Sequence, residues 1–208
     1  MSGMPAKQNP YTWRDYQTLS EGERWEIMDG VPYAMSPTPS LRHQAILGEL
    51  AAQIVPAFRG QRCRPILAPF DVKFDDLNCT EPDLMIVCDP RQIKANHIEG
   101  PPALVVEVVS DHGVVRDRVN KLRLYARFGV KEYWIITQWQ PMIEVLLLDG
   151  DTYRVVGSYR KEDAFQSPSF PGLNLNLSVV FDYPPGPGDA IEVVKEPPGR
   201  YAQMPVHA

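Results

Sequence analysis

Apolar positions recur along this chain at two spacings, one helical and one strand-like. In PSLRHQAILGELAAQIVPAF, Leu41, Ala45, Leu47, Ala51 and Val55 fall on one helical face, with Ser40 or Pro39 marking the start. A long helix is expected over 39–58. VVRDRVNKLRLYARFG repeats the pattern at Val115, Val119, Leu122 and Ala126 and stops at Gly129, which suits a left-handed cap. This predicts a helix over 115–128. A brief helix follows Thr12 in WRDYQTL, where the threonine can cap it.

Strand patterns fill most of the remainder. RWEIMDGVPYAM reads as a hairpin turning at Asp29-Gly30, and CRPILAPFDVKF as one or two strands broken near Pro69. A short apolar strand is expected over 81–88, then a loop with a polar middle from Asp89 to Pro102. Residues 103–110, ALVVEVVS, are apolar on both faces apart from Glu107, the pattern of a central strand covered on both sides. KEYWIIT and MIEVLLL are two further strands, and Asp149-Gly150 turns the second into TYRVVGSY. Beyond Asp182 the sequence is rich in proline and glycine and has little to bury, so a mobile tail, or an arm docked on a partner, is expected. With 208 residues in all, this divides the chain into one domain over 1–182 and a tail over 183–208.

The net charge of −5 argues against a large uniform basic surface for nucleic acid, while leaving room for a local basic cleft around acidic residues. Three cysteines, odd in number and without C-x-x-C spacing, suggest neither a disulfide framework nor a zinc knuckle. A reducing, cytoplasmic setting is the expectation. No apolar run approaches the length of a membrane span, and the first residues lack the apolar stretch of a signal peptide. Motifs for serine hydrolases, P-loops and dinucleotide binding are absent, and His43, His97, His112 and His207 are scattered.

Candidate chemistry lies with carboxylates in apolar strands. Asp83 shares a face with Met85 and Val87, and Glu107 shares one with Val105 and Val109. If these strands are neighbours, the two carboxylates meet, and a bound cation would relieve their repulsion. Two oxygen ligands, a main-chain carbonyl and waters suit Mg²⁺ or Mn²⁺. On the next helix Lys121, with Tyr125 one turn further along the same stripe, is placed to orient or deprotonate a water. Such a site suits phosphodiester hydrolysis. Each residue alone has a plainer reading: Glu107 as an edge or ion-paired glutamate like Glu144, Asp83 as a strand-start residue, Lys121 as a solvated helix lysine. Their order along the chain sets them apart.

EPDLMIVCDP, PPALVVEVVS, RDRVNKLRLYARFGVKEYWII and SPSFPGLNLNL together resemble the Uma family of restriction endonucleases, in the PD-(D/E)xK nuclease superfamily. RWEIMDG and SLRHQAILGEL continue the resemblance, which covers roughly residues 11–182. It implies an α/β (α+β) fold with a restriction-endonuclease-like core, a mixed central β-sheet flanked by helices. It also implies a Mg²⁺- or Mn²⁺-dependent DNA endonuclease with Asp83 and Glu107 as metal ligands. The lysine two residues after the glutamate is replaced by Val109, and Lys121 matches the position to which the family's lysine has moved. Glu26 and His43 match polar positions of the family and are candidates to line the cleft with Tyr125; His43 as a plain helix-surface histidine is the alternative. Where the family often has Ser-Pro-Ser-Thr, this chain has Ser110-Asp111-His112-Gly113. Double-strand cutting would require two active sites, so a homodimer is expected on analogy. The rival expectation is a non-cutting nuclease-fold module that binds nucleic acid or a partner protein.

Overall fold

The computed structural model describes residues 10–19, 24–35, 38–109 and 116–183. The Ser110-Asp111-His112-Gly113 loop and nearly all of the expected tail lie outside the described residues.

The central sheet contains six strands: β3 (Arg64–Leu67), β6 (Leu84–Val87), β8 (Leu104–Val109), β9 (Glu132–Thr137), β10 (Met142–Asp149) and β11 (Thr152–Arg160). Their order is β11-β10-β9-β8-β6-β3, and the sheet is mixed because β8 and β9 run parallel while the other neighbours are antiparallel. Burial on both faces explains the near-continuous apolar sequence of β8, where all six residues are buried. On one face lies α2 (Leu41–Ala57), begun by the Ser40 side chain accepting from His43 N and packed through Ile46, Leu47, Leu50 and Ile54. The short α4 (Leu177–Val180) shares that core, as do Phe165 and Leu175 of the small hairpin β12 (Ala164–Gln166) and β13 (Asn174–Asn176).

The opposite face is covered by α3 (Leu122–Phe128) and by a second sheet of β1 (Trp25–Met28), β2 (Val31–Ala34), β4 (Asp71–Asp75), β5 (Asn78–Thr80) and β7 (His97–Glu99). Its order is β2-β1-β5-β4-β7. The expected hairpin is β1 and β2, with Asp29 and Gly30 both at positive φ (51° and 73°), the geometry a tight two-residue turn demands. Thr12 caps α1 (Trp13–Tyr16) in a reciprocal capping box with Asp15.

Four expectations change. The strand expected over 81–88 is only Leu84–Val87: Thr80 ends β5 in one sheet, Leu84 starts β6 in the other, and Glu81-Pro82-Asp83 is the crossing between them. Pro82, which has no N–H to give a ladder, belongs at such a crossing. The expected loop from Asp89 to Pro102 holds a 3₁₀ turn at Pro90–Gln92 and β7, which runs parallel to β4. A three-residue strand gives too little alternation to be seen in sequence. The helix expected over 115–128 is π-helical from Arg116 to Lys121 and α-helical only afterwards, ending at Gly129 with φ 84°. Finally, Cys63 and Cys88 form a disulfide with Cα atoms 3.9 Å apart, because Arg64 pairs with Val87 and the next step brings the two cysteines opposite one another. Odd count and wide spacing hid a bridge that strand pairing creates.

Among the described residues no helix is long and apolar enough to cross a membrane. Leu50 is fully buried between α2 and the central sheet. Leu50→Ala is expected to lower unfolding free energy by roughly 2–5 kcal/mol, measured by chemical denaturation, because the helix cannot collapse into the space left behind.

Candidate active site

Strand register builds the site. Leu84 pairs with Val106 and Met85 with Val105, so one further step along the same antiparallel ladder sets Asp83 opposite Glu107. Asp83 is fixed there by its surroundings: Oδ2 accepts from the Val108 main-chain N at 2.7 Å, and the Asp83 carbonyl accepts from Ala68 N at 3.0 Å. Its other carboxylate oxygen, Oδ1, lies 3.1 Å from His43 Nε2 on the first turn of α2. His43 therefore faces the crossing between the sheets and is only 12% exposed at its side chain.

Glu107 is buried, and its Oε1 accepts from Lys121 Nζ at 2.8 Å and from the Tyr125 hydroxyl at 2.7 Å. Lys121 and Tyr125 stand one helical turn apart where the π-turn passes into α3, so both reach the same oxygen. Burial, followed by the negative charge of Glu107 and Glu26, pushes the Tyr125 phenol well above its ordinary range, which keeps it a proton donor. Thr80 Oγ1 lies 3.3 Å from the same hydroxyl.

Lys121 is 2% exposed and has a second carboxylate beside it, Glu26 Oε1 at 2.7 Å. Glu26 comes from β1, and its Oε1 also accepts from Glu81 N at 3.1 Å. Arg24, two residues before it, pairs with the Glu81 carboxylate. Arg24 and Thr80 were not among the residues the sequence singled out. The alternation of β1 puts Arg24 on the same face as Glu26, which is a signal that was available.

Burial alone does not mark a functional carboxylate here. Glu132 is also fully buried, but it accepts from Trp134 Nε1 (2.6 Å), Ser167 Oγ (2.9 Å) and Ser169 N (2.8 Å), all neutral donors that tie β9 to the small hairpin. Glu144, the other strand glutamate, pairs with Arg118. Glu107 differs in sharing an ammonium with a second carboxylate and in lying opposite a third.

The donor set suits a hard cation. Asp83 and Glu107 carry carboxylate oxygens, the donors a hard cation takes. Among the described residues no group of three or more His, Cys, Asp or Glu side chains is placed to hold a metal ion. The remaining ligands of a cation would therefore be main-chain oxygen and water, the coordination Mg²⁺ tolerates best.

Asp71 on β4 borders this cluster and accepts from the Tyr16 hydroxyl at 2.7 Å. Burial, reinforced by Glu81 and Glu26 and opposed by the Tyr16 hydrogen bond and Arg24, raises its carboxyl to about 6. A raised carboxyl holds its proton more tightly in the folded chain, so its contribution to stability is full at low pH. That contribution falls as pH climbs from the ordinary carboxyl range through about 6. Asp71→Asn is expected to flatten that part of the profile, read from denaturation midpoints between about pH 4 and 7.

The family model described as Uma2, "Putative restriction endonuclease", matches residues 13–178. A relative from Synechocystis sp. (strain PCC 6803), "Uncharacterized protein slr1290", is 29% identical over 163 residues, covering 76% of this chain and 84% of that one. A crystal structure of "a putative nuclease belonging to DUF820" from Anabaena variabilis is similar with a TM-score of 0.68 at 20% identity, covering 83% of this chain and 98% of that one. At that identity the likeness speaks for the fold.

Proposed function

The chain belongs to the Uma2 family, and from that premise we propose that it is a metal-dependent DNA endonuclease hydrolysing phosphodiester bonds at the Asp83–Glu107–Lys121 site. The observation that carries this reading is the Lys121 ammonium, delivered from the helix after β8 to within 2.8 Å of Glu107 Oε1. It stands in for the lysine that Val109 replaces in the strand.

Asp83 and Glu107 would hold Mg²⁺ or Mn²⁺. Bound there, the ion supplies positive charge against the phosphate oxygens and makes water more acidic. The protein's own groups do the positioning. Lys121 sits beside Glu107 to orient the attacking water and to offset charge developing on the phosphate. Tyr125 keeps its proton on Glu107 Oε1, so that oxygen is held by two donors and the carboxylate has one orientation. Glu26 holds the ammonium from the other side. The Val108 amide and His43 hold the two oxygens of Asp83. Cutting both strands takes two such sites, so a two-fold homodimer acting on DNA belongs to the proposal.

A non-cutting nuclease-fold module is the second reading, favoured by the depth of Lys121, whose side chain is 2% exposed and already engaged by two carboxylates. Metal-dependent cleavage of mixed DNA substrates separates the two. With Mg²⁺ or Mn²⁺ the wild type is expected to nick or cut, and Glu107→Gln and Lys121→Ala to lose roughly 10²-fold or more in rate. Glu107→Gln keeps an oxygen acceptor for Lys121 and Tyr125, so its loss of activity reports charge rather than unfolding. Variants that cut as well as the wild type would remove the site assignment. A wild type that binds DNA and cuts none of it under either metal would leave the second reading standing.

A further inference from the structure

The turn after β9 carries the one exposed tryptophan among the described residues. Trp139 is 55% exposed, whereas Trp13 and Trp134 are buried. It is also backed. The Arg42 guanidinium stands 4.3 Å from the centroid of its ring and 4.9 Å from that of Tyr183. Arg42 Nη1 and the Tyr183 hydroxyl both donate to the Gln138 carbonyl, at 3.4 and 2.7 Å. Other exposed apolar side chains, such as Val31 and Val155, are aliphatic residues of strands and present no ring face to a ligand.

This cluster is rigidly joined to the candidate active site. Gln138 is buried; its Nε2 donates to the Val109 carbonyl at 2.9 Å, and its Oε1 accepts from Ser40 Oγ at 2.9 Å. Val109 lies two residues beyond Glu107 on the same strand. Arg42 precedes His43, which reaches Asp83. Two short chains of backbone and non-covalent contacts thus link the tryptophan to both carboxylates: one through the Gln138–Val109 hydrogen bond, the other through Arg42 and the His43–Asp83 contact.

We propose that Trp139, with Arg42 behind it and Tyr183 beside it, is a stacking platform for an unpaired DNA base next to the phosphate at the active site. The placement beside a scissile phosphate rests on the nuclease reading above; the stacking itself does not. One ring face is occupied by a cation, and more than half of the residue remains open to a ligand. A flat aromatic face held in place by a guanidinium costs little to order on binding, and every base has a π-face to set against it. Bases inside a duplex already have both faces stacked, so the platform selects a single-stranded or extruded nucleotide. The substrate class that follows is DNA with an unpaired base near the cleavage point.

The test measures binding by fluorescence anisotropy of one labelled oligonucleotide, single-stranded and as a duplex, with EDTA present so that nothing is cut. Trp139→Ala is expected to weaken single-strand binding about tenfold, while Trp139→Phe retains binding within about threefold and duplex affinity stays within about twofold. Three results would each overturn the platform: unchanged single-strand binding by Trp139→Ala, equal losses for strand and duplex, or a wild type that binds no single strand. Cleavage is scored separately with Mn²⁺. A wild type that cuts nothing while Trp139→Ala loses single-strand affinity would sink the nuclease reading and keep the platform. A wild type that cuts while Trp139→Ala binds normally would do the reverse.

Discussion

The antiparallel register between β6 and β8 is the constraint from which the site follows. Because Leu84 is set against Val106, Asp83 comes out against Glu107. A slip of one residue would turn Met85 and Val87 toward the α2 side and put Leu84 and Ile86 on the face from which Glu107 projects. The two cores guard against this. Leu84, Ile86, Val106 and Val108 are buried with α2, while Met85, Val87, Val105 and Val109 are buried under the second sheet and α3. Apolar packing on both faces therefore fixes the position of charges that contribute nothing apolar themselves.

Those charges come at a cost in stability. Glu26, Glu107 and Lys121 are all buried, and taking ions out of water is unfavourable by several kcal/mol for each unless partners compensate. The partners here are short and directional: two carboxylate oxygens within 2.8 Å of one ammonium, with a tyrosine hydroxyl on the same Glu107 oxygen. Replacing the group with leucine-like residues would satisfy the fold as well or better. Charge retained in such a place is what the proposed chemistry would call for. Glu132 supplies the contrast, since neutral donors from a neighbouring loop account for it without any second charge.

Much of this was legible in the chain, and for identifiable reasons. Glu107 stood out because β8 is apolar on both faces, and Lys121 and Tyr125 because four residues on a helix is one turn. The mixed central sheet flanked by helices followed from the family resemblance and matches the neighbouring nuclease fold. What escaped notice came from contacts between segments far apart in sequence or from elements too short to show a period. β5 and β7 have three residues each, the Cys63–Cys88 bridge depends on strand pairing, and the π-turn before α3 leaves the hydrophobic spacing nearly helical. Arg42, Gln138 and Trp139 are joined across nearly a hundred positions by hydrogen bonds and ring contacts that no local pattern records.

Glu26, Glu107 and Lys121 also bear on the order in which the chain folds. Glu26 belongs to the second sheet, Glu107 to the central one and Lys121 to the turn that leads into α3. Contacts between segments so distant in sequence form only after the loops between them have closed, which makes them late events. Lys121 meets both carboxylates only when the two sheets have docked. A partly folded chain, whether newly made or transiently opened, therefore has the residues of the site without the constellation, and whatever chemistry the site performs waits until the two sheets have docked.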